Sequence, residues 1–92
     1  MRSLSVAERE RQGLAFKLYA VAQQLPGPFS LEDLAVAAWR AHPNDFGLFG
    51  YAAFHPDSSK VRLNLWGRTG LITTRKLYRT ADGRYAVKDD RR

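Results

Sequence analysis

The breaker residues constrain this chain more than any other feature, because they cut 92 residues into short segments of fixed type. Pro26-Gly27-Pro28 cannot continue a helix and ends whatever precedes it. His42-Pro43 closes a second helix, since the residue before proline is pushed out of the helical region. Pro56-Asp57 has the form of a helix start, and Ala81-Asp82-Gly83 is a strong hairpin-turn signal. The expectation is three helices followed by a two-stranded hairpin, an α+β chain that is mainly α.

Each segment carries matching local signals. Ser5-x-x-Glu8 has the form of a capping box, and Leu14, Leu18, Val21, Ala22 and Leu25 recur at helical spacing behind it. Phe16 and Tyr19 lie off that stripe, either under the hairpin or as part of a dimer contact. The second helix starts at Ser30 as N-cap, with Asp33 at the third helical position and Phe29 stapling onto Leu34. Leu31, Leu34, Ala35 and Ala38 face inward. The third helix takes Asp57 as N-cap, Val61 and Leu65 as its core contact, and Gly70 as its far cap. Leu63 and Trp66 are harder to place, and one of them should be half-buried.

Between the second and third helices, residues 44–55 form a loop rich in Gly and aromatics. Polar surface loops do not usually carry Phe46, Leu48, Phe49, Tyr51 and Phe54. We read it as a packed connection that completes the core, with room for a short strand near Phe49 and Tyr51. Beyond Ile72 the period changes to alternation, and residues 74–80 and 84–88 read as strands. A two-residue turn would put Tyr78, Thr80, Tyr85 and Val87 on one face. A three-residue turn pairs Leu77 with Val87, and is preferred because it buries Leu77, Tyr85 and Val87 together. Residues 1–4 and 89–92 are expected to be tails.

Charge is as segregated as structure. From Lys60 onward there are ten Lys or Arg against three acids, a balance of +7, whereas residues 1–59 balance at −1. Such a segment suits a polyanion, and nucleic acid is the commonest one. With 45% hydrophobic residues the chain has material for a core without staples. The absence of cysteine excludes disulfides, thiolate zinc sites and cysteine nucleophiles. No apolar run approaches a membrane span, and residues 1–11 are too polar for a signal peptide, so the expected setting is the cytoplasm with no membrane partner.

Three helices and a basic hairpin resemble the winged helix-turn-helix superfamily. The residues that carry the resemblance are Phe29-Ser-Leu-Glu-Asp-Leu, Pro56-Asp-Ser-Ser-Lys-Val, and Leu77-Tyr-Arg-Thr-Ala-Asp-Gly-Arg-Tyr-Ala-Val. The match spans residues 5–88, with one departure: the link from Pro43 to Pro56 exceeds the usual three- or four-residue turn. The resemblance implies duplex DNA binding and transcription regulation, sequence-specific or architectural, with the third helix in the major groove and the wing on the backbone. The contacts it implies are Ser58, Ser59, Lys60, Arg62 and Arg68 from the third helix, and Arg75, Lys76, Arg79 and Arg84 from the wing. A homodimer through Phe16, Tyr19 and Ala20 would extend the site. Winged domains also dock proteins, so an interaction module in a larger assembly is the alternative.

Catalysis is not expected. His42 and His55 each precede a proline at a helix boundary, and Asp45 and Asp57 nearby read as cap chemistry rather than metal ligands. There is no phosphate-binding glycine loop and no Gly-x-Ser-x-Gly elbow. No cofactor or metal is expected.

Overall fold

A computed structural model describes residues 6–88, with side chains from residue 13 onward. It is an α+β fold, mainly α: α1 (Val6–Gln24), α2 (Leu31–Ala41), α3 (Pro43–Phe46), α4 (Ser58–Trp66), β1 (Leu77–Arg79) and β2 (Tyr85–Val87). The described residues thus hold four helices rather than three. The expected Ser5 cap and both tails lie outside them.

The second helix forms where its cap directs. Ser30 Oγ accepts from the Asp33 amide at 3.0 Å, and Asp33 Oδ2 accepts from the Ser30 amide at 3.2 Å. This reciprocal pair satisfies two amides that the first helical turn leaves without partners. Phe29 and Leu34 flank the cap and are both buried. His42 ends α2 as expected, but Pro43 immediately starts the extra turn, α3. A proline suits that position because its missing N–H would have had no partner there.

The helices α1, α2 and α4 pack against one another, and α3 sits against α2 and α4. Their shared core holds Leu18, Leu34, Phe46, Val61, Leu65, Leu71 and Leu77, all fully buried. On α1 the predicted stripe is present, with Ala15 added and with Leu14 and Leu25 only partly buried. Tyr19 packs against the core edge, whereas Phe16 is 74% exposed. Neither therefore lies wholly beneath the hairpin.

The hairpin pairs Leu77 with Val87, Tyr78 with Ala86 and Arg79 with Tyr85. That is the register of the three-residue turn. Gly83 closes it with φ +85° and donates its amide to Thr80 O; a Cβ in that left-handed conformation is strained. Leu77 and Tyr85 are buried and Val87 is partly so. Each buried side chain adds roughly 1.5–3 kcal/mol. A further rung joins the hairpin to the segment before α2. Phe29 donates to Tyr85 O at 2.8 Å, and Tyr85 donates back to Phe29 O at 2.7 Å.

The strands are shorter than alternation suggested. Thr74 and Arg75 belong to a run of turns after α4, in which Thr74 Oγ1 donates to Gly70 O and Arg75 adopts φ +63°. The amide of Lys76 then reaches back to Leu71 O at 2.8 Å. The Lys76 amide is thereby taken, and its carbonyl accepts the last bond across the hairpin, from Lys88 at 3.0 Å. The end of α4 also differs from expectation. Its C-cap is Gly67, which donates to Leu63 O, while Gly70 is buried in the following turn.

The largest departure is the loop between α3 and α4. Its base is closed by Asp57 donating to Phe46 O and Leu48 donating to His55 O, both at 2.8 Å. Tyr51 folds back to Leu48 O, and Phe54 and His55 both donate to Tyr51 O, giving consecutive turns and no strand at Phe49 or Tyr51. Only Phe46 enters the core. Leu48, Phe49, Tyr51 and Phe54 are exposed. Turns put these side chains outside the ladder that would have pointed alternate residues inward.

Candidate nucleic-acid interface

The free face of α4 follows from which residues the core takes. Val61, Asn64 and Leu65 face inward. Helical spacing then leaves Ser59, Arg62, Leu63 and Trp66 together on the opposite face. Asp57 caps the helix by accepting from the Ser59 amide at 3.0 Å, with Ser58 and Ser59 exposed beside it. Leu63 and Trp66 are both about half exposed, so neither is core. Trp66 meets Tyr85 of the hairpin edge-on, with ring centroids 6.4 Å apart.

Lys60 and Asn64 do not join that face. Lys60 Nζ donates to Gly47 O at 3.1 Å, which engages this cation in holding the aromatic loop. Asn64 is buried, with Nδ2 donating to Lys60 O at 2.8 Å and Oδ1 lacking any partner among the described residues. Arg68 lies beyond the helix end and is exposed, in contact with other groups.

The cations on and beside the hairpin fall into three groups. Arg75, Arg79 and Lys88 line one shallow cleft of about 590 Å³, with Tyr78, Ile72, Leu77 and Val87 between them. Lys76 instead lies over the ring of Tyr19, 5.9 Å from its centroid. Among the described residues, the side chains of Arg62, Arg75 and Arg79 make no hydrogen bond or ion pair. Their guanidinium groups are thus available to an external anion.

Arg84 is in a different state. Its Nε and guanidinium donate to Asp82 Oδ2 at 2.9 and 2.8 Å, and the Thr80 hydroxyl donates to Asp82 Oδ1. These bonds, led by Arg84, pull the Asp82 carboxyl below its usual 3.8 to about 2. Asp82 is the only acid between Ser58 and Lys88, and it is matched by its own neighbour. Among the described residues 58–88 no other carboxylate stands in the basic segment.

Tyr78 and Lys88 are site residues that sequence pattern alone did not pick out. Both belong to the cleft because the register sets Leu77 against Val87 and leaves the flanking residues at its rim. Among the described residues no group of three His, Asp or Glu side chains is arranged to hold a metal. Asp45 pairs with Lys17 at 2.7 Å and Asp57 caps α4. No helix among the described residues is long and apolar enough to cross a membrane. Comparisons with protein-family models, with curated proteins and with solved structures find nothing that this chain matches.

Proposed function

We propose that the chain is a winged helix-turn-helix protein that binds duplex DNA in the cytoplasm, without catalysis, in transcription regulation. The observation that carries this reading is the cleft of Arg75, Arg79 and Lys88 on the hairpin, on the same basic segment as Arg62 of α4. Cations on two neighbouring elements suit two successive stretches of phosphate backbone, with base edges read between them. In this reading α4 enters the major groove with Ser58, Ser59 and Arg62. Leu63 and Trp66 then meet apolar groups such as thymine methyls. The hairpin, including Tyr78 at its exposed rim, follows the backbone.

The test is a salt series with a random duplex. Neutralising about four to seven phosphates gives a slope of log K on log salt of roughly −4 to −6. No binding at about 50 mM salt, where such contacts are strongest, sinks the reading. Arg75→Ala with Arg79→Ala is expected to flatten the slope by about 2 on every sequence, whereas Arg62→Ala is expected to reduce discrimination between sites. Identical behaviour of the two variants would reduce α4 to a phosphate clamp.

A second reading rests on Leu63 and Trp66 at the centre of the free face of α4. Trp and Arg are enriched where proteins bind proteins, and a docking partner would cover this pair. Trp66→Ala distinguishes the two: it leaves the salt slope intact if the face reads DNA and abolishes complex formation if it docks a protein.

A further inference from the structure

The loop of residues 47–56 carries the most exposed apolar surface of the described chain. Phe49 is 91% exposed, Phe54 72%, Tyr51 59% and Leu48 41%. A contiguous apolar patch of several hundred Å² often marks an interaction site. We propose that this loop is a self-association surface, and that its occupant is the same loop of a second copy of the chain.

Three observations point to a second copy. The first is charge. Two copies of a chain carrying +6 repel each other, yet residues 46–56 contain no Lys, Arg, Asp or Glu at all. A two-fold contact here brings together stretches without like charges. The second is position. The loop runs directly into the N-terminal end of α4, whereas the basic hairpin meets α4 at Trp66, its last residue. A contact through the loop therefore leaves the cationic cleft uncovered.

The third is area and order. An aromatic side chain offers about 150–250 Å², so the four residues at these exposures present on the order of 500 Å² per copy. An isologous pair then buries about 1,000 Å², the lower bound for a specific interface. The loop is already held by bonds from the flanking helices: Trp39 Nε1 donates to Ala52 O at 2.6 Å, and Lys60 holds Gly47 O. A Cβ on Gly47 would lie 2.6 Å from the Ala52 Cβ, so the loop base is closely packed. Pre-ordering lowers what association costs in lost freedom.

This surface is an alternative to the helical contact expected at Phe16, Tyr19 and Ala20. Tyr19 lies against the core and under Lys76, which leaves Phe16 as the single large apolar side chain exposed in that set. The inference does not depend on DNA binding, so each can fail without the other.

Sedimentation of the full chain from micromolar to hundreds of micromolar tests it. The wild type is expected to reach a dimer in that range. Phe49→Asp, at a position outside the core, is expected to weaken association at least tenfold while leaving the circular dichroism spectrum unchanged. Phe49→Leu should retain the dimer, as should Phe16→Glu. A wild type that stays monomeric throughout overturns the proposal, and co-sedimentation of that monomer with phosphatidylcholine vesicles would assign the loop to a lipid surface instead. A Phe49→Asp protein that dimerises like the wild type also overturns it.

Discussion

Asp82 and Arg84 show how one pair of side chains redefines a site. The sequence offers Arg84 as a free cation at the wing tip, but two bonds turn it toward the carboxylate two residues earlier. The folded-state value of Asp82, about 2, lies below its ordinary 3.8. Whatever the pair adds to stability is therefore present above about pH 4 and fades as pH falls toward 2. Both groups are exposed, so the effect is local to the tip. Carboxyl titration by NMR is expected to place Asp82 near 2, and Arg84→Ala to move it back toward 3.8. An ordinary midpoint in the wild type would contradict the pairing.

Asn64 makes the opposite point at the same scale. Its buried Oδ1 has no partner among the described residues, and a buried acceptor in that state costs about 1–3 kcal/mol. Asn64→Leu keeps the size of the side chain and removes the acceptor. Urea unfolding is expected to show a gain of about 1 kcal/mol, with Leu71 still donating to the backbone carbonyl of residue 64.

Among the elements, the hairpin depends on its turn. Gly83 sits at φ +85°, where a residue with a Cβ costs about 1–2 kcal/mol. Gly83→Ala is expected to lower stability by that amount and to weaken protection of the Thr80 and Tyr85 amides in hydrogen exchange. Unchanged exchange would mean the rung between Phe29 and Tyr85 holds the hairpin without its turn. The α4 helix has a different dependence. Its free face combines Arg62 with Leu63 and Trp66, and of these Trp66 meets the hairpin at Tyr85.

For the whole molecule, one core serves every element. Leu65 is fully buried where α4 packs on α1 and α2. Leu65→Ala is expected to cost about 2–5 kcal/mol, against a total of roughly 5–14 kcal/mol for a chain of this length. Each kcal/mol moves Tm by about 4–8 °C in so small a domain. Differential scanning calorimetry should therefore show a fall of about 8 °C or more. A smaller shift would mean that the helices unfold independently of one another.

Much of the fold was legible because its determinants are local. Caps at Ser30 and Asp57, the stop at His42 and the three-residue turn with its Leu77–Val87 register all depend on residues within a few positions. The charge segregation was equally plain. Tertiary structure alone decided which aromatics are core, because Phe46, Phe49 and Phe54 are chemically alike and only the path of the loop separates them. It also decided which cations are available. Lys60, Lys76 and Arg84 are engaged by Gly47, Tyr19 and Asp82, whereas Arg62, Arg75 and Arg79 are not engaged among the described residues. Local sequence sets where a helix begins because a cap is a short-range bond; it does not set what a long side chain reaches, because that depends on which distant backbone the fold brings near.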